Sequence, residues 1–272
     1  MKNGGKKDLI KDIIKYSIDL RLPAIRKYLE DDLADATKNN LSYEKFLYNL
    51  LEKEYDARIE NGKLNRIRIA GFPFKKYLED LKVEELPKDA QAKLGILKTL
   101  DFIKNGQNVI LAGSPGTGKT TIAIGLGIKA CMQGYRVFFT TVPLLINQLK
   151  EARGSSILRS FELRFEKYDL VIADELGYIS FDKEGSELLF TNLSLRAGRK
   201  STIITTNLSF ERWDEIFLDP VITAAMIDRL THKSYMVNMN GVSYRMKETK
   251  EWLKKNKTVE DFLAEEDDKE AN

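Results

Sequence analysis

A single histidine and a single cysteine stand among the 272 residues of this chain. Zinc-finger spacing, which needs four such ligands, is therefore impossible, and so is an internal disulfide. Lone Cys131 fits a reducing, cytoplasmic compartment and reads as a small buried residue on a helix. No run of about 18 uncharged apolar residues occurs, so no membrane span is expected. The N-terminus carries Lys2, Lys6 and Lys7 but lacks the apolar core of a signal peptide. No helix-turn-helix pattern is visible, so base-specific reading of DNA is not indicated.

What is present is charge, unevenly spread. Residues 260–272 carry −6, so the rest of the chain carries +9 against an overall +3. A basic body with an acidic tail fits a protein that binds a polyanion, and equally fits lysines that only solvate a surface.

The first 87 residues read as a helical domain. Leu9, Ile10, Ile13, Ile14 and Ile18 recur at helical spacing. Pro23 separates this helix from the next, Ala24 to about Ala36. Ser42 is placed to cap a third helix with the face Phe46, Leu47, Leu50, Leu51 and Tyr55. Gly71-Phe72-Pro73 breaks the pattern, and Leu86-Pro87 reads as a linker. Residues 88–259 read as a second domain. A helix at about Asp89–Asn105 precedes apolar runs at 109–112, 137–139, 170–173, 202–205 and 235–237, with helical stretches between them. That alternation predicts a buried parallel sheet in a three-layer α/β domain. Residues 260–272 are expected to be a disordered acidic tail.

The sharpest signal is Gly113-Ser114-Pro115-Gly116-Thr117-Gly118-Lys119-Thr120, followed by Thr121. It matches the P-loop pattern, after an apolar strand and before a helix. Glycines let the backbone curl so that several N–H groups face phosphates, and the helix adds its positive end. Lys119 is predicted to reach the β- and γ-phosphates, and Thr120 to ligate Mg²⁺. About fifty residues on, an apolar strand ends in Asp174-Glu175. Asp174 is placed to hold Mg²⁺ and Glu175 to polarise the attacking water; an acidic pair can also merely start a loop. Asn207, ending the next strand, is placed to touch the γ-phosphate or to cap the turn. Arg229 and Arg245 are candidates to complete the site, with surface ion pairs as the alternative for each.

These stretches resemble the IstB-type transposition helper ATPases. The resemblance rests on Asn108–Thr120, Gly134–Val137, Asp174-Glu175-Leu176-Gly177-Tyr178, Ser201–Leu208, Asp228-Arg229-Leu230, Leu20–Ala24 and Ala70-Gly71-Phe72-Pro73, and covers roughly Leu9 to Lys247. It implies a P-loop AAA+ domain, ATP and Mg²⁺ as cofactors, and self-assembly in the ATP state. It also implies loading on duplex DNA with little sequence preference, recruitment of a cognate transposase, and regulation by ATP hydrolysis. By this likeness Asn207 is a sensor-1 residue, Arg229 an arginine finger acting in trans, and Arg245 a sensor-2 residue. At Lys75-Lys76-Tyr77 relatives more often carry a shorter basic–Thr–Leu sequence, so the likeness assigns this segment no adenine-pocket role. His232 reads as a solvated or capping residue.

Candidates for contacts to DNA phosphates are Arg58, Lys63, Arg66, Arg68, Lys75 and Lys76, with a second group at Arg196, Arg199 and Lys200. Two other functions stay open: a DnaC-type helicase loader preferring single-stranded DNA, and a P-loop kinase acting on a small metabolite. Glu175 and Asn207 count against the kinase.

Overall fold

A computed structural model describes residues 4–254; the acidic tail expected from residue 260 lies outside them. The chain divides into two compact units, the first ending at Asn65 and the second beginning at Arg66.

The first unit holds α1 (Gly4–Asp19), α2 (Pro23–Lys38) and most of α3 (Tyr43–Ile69). Pro23 opens α2, where a missing N–H costs nothing. The buried Glu54 carboxylate on α3 accepts hydrogen bonds from the Ala24 and Ile25 amides, at 2.8 and 3.1 Å. It thereby serves donors that the start of α2 would leave unpaired. Ser42 caps α3 as expected, accepting from the Lys45 amide. The expected apolar face of α3 is only partly covered. Leu50 is buried and Phe46 half-buried, whereas Leu47, Leu51 and Tyr55 are exposed. Two shorter helices cover only one stripe of a helix 27 residues long.

The boundary differs from the one expected after Pro87. Ile67, Ala70 and Leu78 are buried in the core of the second unit, with Phe72, Leu81 and Leu86 packed against it. The Ala70 carbonyl accepts from the Phe139 amide at 2.8 Å. Gly125 makes room for this segment, since a Cβ there would lie 2.6 Å from the Leu78 side chain.

The second unit is built on a five-stranded parallel sheet: β1 (Val109–Ala112), β2 (Val137–Thr141), β3 (Leu170–Leu176), β4 (Ser201–Thr206) and β5 (Tyr235–Asn238). The order is β2-β3-β4-β1-β5. Alternate strand residues feed two cores. Val109, Leu111, Leu170, Ile172 and Ile203 face α4 (Lys88–Leu97), α5 (Asp101–Lys104) and α6 (Lys119–Met132). Ile110, Val171, Ala173 and Ile204 face α7 (Val142–Gly154), α8 (Leu158–Phe165), α9 (Lys183–Ser194), α10 (Asp214–Phe217) and α11 (Pro220–Thr231). This is the three-layer α/β architecture of a P-loop AAA+ domain. The helix expected over 89–105 is split, because Leu100 sits in the left-handed region at φ +62° between α4 and α5. Cys131 is fully buried on α6, and burial pushes its thiol up to about 12. Among the described residues no helix is long and apolar enough to cross a membrane.

Candidate functional site

Because the strands are parallel, all five C-terminal ends lie on one edge, and the loop from Gly113 to Gly118 leaves β1 in their midst. Gly113, Gly116 and Gly118 have φ of +150°, +78° and +90°. A Cβ on Gly113 would stand 2.3 Å from the Met239 carbonyl carbon, and one on Gly116 would stand 2.1 Å from the Ser243 hydroxyl oxygen. Only glycine lets the loop lie so close to the chain leaving β5. Ser114 donates to the Asn240 amide oxygen from its backbone N–H and its hydroxyl, at 3.1 and 3.2 Å.

Lys119, the first residue of α6, is buried. Its Nζ donates to the carbonyls of Gly113 and Ser114, both at 2.7 Å. Burial holds this ammonium below its ordinary pKa; the Asp174 charge opposes the shift, and the Arg245 charge adds to it. Thr120 donates from Oγ1 to Asp174 Oδ1 at 2.9 Å. Thr205 on β4 also donates its hydroxyl to the buried Asp174 carboxylate, and accepts from the Glu175 amide at 3.0 Å. A helix start and a neighbouring strand thus fix one carboxylate beside the loop.

Glu175 sits at φ +65°, and the β3–β4 register breaks between Ala173 and Leu176. A left-handed non-glycine residue costs about 1–2 kcal/mol. The bulge sends Asp174 and Glu175 to different surroundings. Asp174 is buried, whereas Glu175 is exposed and lines a cavity of about 430 Å³.

Residues 116–121, Thr205, Tyr178 and Arg245 line the same cavity. Phe74, Lys76, Leu81 and Leu86 before the sheet and Val242 and Tyr244 after it add to its walls, with Asp80, Lys82, Glu85 and Glu248 among the charged lining. Lys76 is therefore placed at the P-loop cavity and not on a separate basic face. A helix runs from residue 244 to 254, the last described residue. It is held to the loop by the Tyr244 amide, which donates to the Gly116 carbonyl at 2.9 Å. The Lys247–Glu85 ion pair, at 2.8 Å, ties it to the segment before the sheet.

Gly113, Ser114, Pro115 and buried Asp174 do not line this cavity, and Asn207 and Arg229 lie off it. Asn207 lines an adjacent cavity of about 480 Å³, together with Gly113 and Asn240. Its amide oxygen is buried without a hydrogen-bond partner among the described residues. Arg229 is exposed near the end of α11, its guanidinium carbon 5.7 Å from the centroid of the Phe190 ring.

In the second group of DNA candidates Arg196 is corrected, while Arg199 is exposed and Lys200 half-buried. Arg196 is 1% exposed. Its guanidinium donates to the carbonyls of Phe165, Tyr168 and Ser201, each at 3.0 Å, so it braces the interior and cannot meet a phosphate. Lys200 is committed to Asp169 at 2.6 Å, and Arg199 donates back to the Leu195 carbonyl. In the first group, Arg66 donates to the Cys131 carbonyl at 2.8 Å. Arg58, Arg68 and Lys75 are exposed, and Lys63 is half-buried in an ion pair with Glu60.

Thr205 and the residues walling the cavity from 74 to 86 and from 242 to 244 were not singled out by motif. Thr205 did leave a signal: a hydroxyl inside an apolar strand needs a buried partner. Arg66 and Arg196 looked from sequence like any surface cation.

Comparison with known proteins follows the same lines. Residues 16–252 match the family model described as IstB-like ATP binding protein. The chain is 34% identical over 236 residues to the ATP-binding protein of insertion sequence IS5376 from Geobacillus stearothermophilus, covering 87% of this chain and 94% of that protein. It is 35% identical over 229 residues to the IS21 ATP-binding protein from Pseudomonas aeruginosa, covering 84% and 86%. Among solved structures, AMPPCP-bound DnaA from Aquifex aeolicus superposes with a TM-score of 0.53 at 20% identity, covering 68% of this chain and 56% of that one. DnaI superposes with a TM-score of 0.52 at 18% identity, covering 60% and 90%. Those two likenesses concern the fold. The match over nearly the whole length, joined to a glycine loop pressed against β5 and a lysine buried beneath it, places the chain in the IstB-like ATP-binding protein family.

Proposed function

We propose that this chain is an ATP-hydrolysing helper of insertion-sequence transposition, which assembles on duplex DNA in its ATP state and recruits the transposase of its own element. The observation that carries the hydrolytic part is the Thr120–Asp174–Thr205 hydrogen-bonded group beside the exposed Glu175. Relatives named as insertion-sequence ATP-binding proteins support the transposition part.

The residues present fit ATP with Mg²⁺. The loop keeps its tight path only with glycine at 116, since a Cβ there would strike Ser243. Thr120 and Asp174 bring a hydroxyl and a carboxylate together. Among the described residues no group of three or more His, Cys, Asp or Glu could hold a metal by itself. Such a pair suits a cation that takes its other ligands from phosphate and water. When bound, Mg²⁺ neutralises phosphate charge. Lys119 then moves its donors from loop carbonyls to phosphate oxygens. Glu175 orients and deprotonates the attacking water, and Asn207 and Arg245 sense the γ-phosphate. Arg229, remote from its own cavity wall, serves the site of a neighbouring copy. Arg58, Lys63 and Arg68 contribute phosphate contacts to DNA, which sets no base preference.

The test compares ATP turnover and DNA binding of the parent and Glu175→Gln across a salt series. The expected result is turnover lowered by about 10²- to 10⁴-fold with nucleotide binding kept. Binding to duplex DNA should depend on nucleotide and weaken steeply with salt. Parent-level turnover in Glu175→Gln removes Glu175 as the base. A preference for single strands replaces the transposition reading with helicase loading.

A further inference from the structure

We infer that Phe190 is the positioning residue for Arg229, presenting its guanidinium to nucleotide held by a second copy of the chain; this rests on the proposed action of Arg229 in trans. Arg229 lies in the last turn of α11, exposed, with Phe190 of α9 beneath it at 5.7 Å. Arg153, Arg159 and Arg212, also exposed in this unit, pair with Glu184, Glu162 and Glu215, whereas Arg164 shares the ring arrangement, 5.4 Å from the centroid of Phe161 on its own helix. Among the described residues no carboxylate pairs with Arg229.

The difference matters chemically. A carboxylate grips a guanidinium through the same in-plane N–H fork that a phosphate needs, and it cancels the charge. A ring face attracts the cation from below and leaves all five N–H donors free in the plane. Phe190 therefore orients Arg229 without using the groups that a transferring phosphate would claim. The platform itself is fixed. Phe190 is half-buried against the core that contains Leu189, Leu193 and Trp213. Asp182 caps the start of α9 by accepting from the Gly185 amide at 3.0 Å. Asp219 caps α11 by accepting from the Val221 and Ile222 amides, at 2.9 and 3.1 Å. Both helices are tied down, and only the charged end projects.

The experiment uses mixed assemblies on duplex DNA. One partner carries Arg229→Ala, keeping its own water-activating Glu175. The other carries Glu175→Gln, keeping its arginine. Neither partner alone should turn over ATP at the parent rate, and the mixture should recover turnover. Adding Phe190→Leu to the Glu175→Gln partner is expected to lower that recovered rate by about 2- to 5-fold, the range of an exposed cation–π contact. Adding it to the Arg229→Ala partner should change nothing. Phe190→Tyr in the Glu175→Gln partner should keep the rate, and nucleotide affinity should stay constant throughout. Melting curves check folding, with Phe190→Met as the second ring-free variant if Leu destabilises. A loss that follows Phe190→Leu in the Arg229→Ala partner, or no loss in either, overturns the positioning role while leaving the trans arginine standing. A mixture that recovers nothing overturns the trans reading itself.

Discussion

The two edges of the parallel sheet carry similar polar residues and use them in opposite ways. At the N-terminal edge the charges are each held by several partners. Arg196 donates from its two terminal nitrogens to three carbonyls, with only its Nε left unpaired among the described residues, and half-buried Asp169 accepts from Lys200 and from the Arg136 amide. Asn108 bridges two elements, donating to the Leu230 carbonyl and accepting from the Thr202 amide. At the C-terminal edge Lys119 rests on carbonyls of its own loop, Glu175 stands exposed on a strained bulge, and Asn207 has an unpaired amide oxygen. Burial of a charge therefore does not mark function here. Arg196 is pulled down to about 10 by burial, with Asp169 and Glu166 opposing, and it remains a brace. What marks function is a polar group whose present partners can be exchanged.

The contrast can be broken most forcefully at Arg196. Arg196→Met should cost about 3–5 kcal/mol of unfolding free energy, because two buried carbonyls and one part-buried carbonyl lose a charged donor at about 1–3 kcal/mol each. Urea titration measures this, and the protein that stays folded should bind nucleotide normally. Lys119→Ala is the mirror image. It should weaken nucleotide binding by about 2–5 kcal/mol by calorimetry while stability shifts by less than about 1 kcal/mol. Glu175→Gly should raise stability by up to about 1 kcal/mol, since glycine adopts φ +65° without strain, and should abolish turnover. The smallest effect concerns Asp169. Burial pushes its carboxyl up, but hydrogen bonds from Lys200 and the Arg136 amide outweigh this and hold it below its ordinary value. A depressed carboxyl contributes stability that is complete above about pH 4 and fades as pH falls through the folded value. Asp169→Asn should therefore be less stable than the parent at pH 7, and the gap in urea midpoint should close as pH falls through the depressed folded value of the carboxyl.

The same contrast explains what could be read from the sequence. The five strands and the glycine loop were legible because they are local: apolar runs of the right length, and a motif whose spacing is dictated by phosphate. Asp174 and Glu175 were legible because they end such a run. Residues 66–87 were misplaced because their allegiance is tertiary, resting on Ala70 and Leu78 packing against α6 and β2. The apolar periodicity of α3 overstated its burial, since periodicity shows which face is apolar and not whether a neighbour covers it. Arg196 could not be told from Arg58 by pattern, because two of the carbonyls that claim it, those of Phe165 and Tyr168, lie about thirty residues away in sequence.

The contact between Gly113 and Met239 has one further consequence. The first residue of the loop and the chain leading to Arg245 press together with no side chain between them. A side chain introduced at Gly113 would therefore wedge the two segments apart, and with them the Tyr244–Gly116 hydrogen bond that holds the start of the helix from residue 244 against the loop.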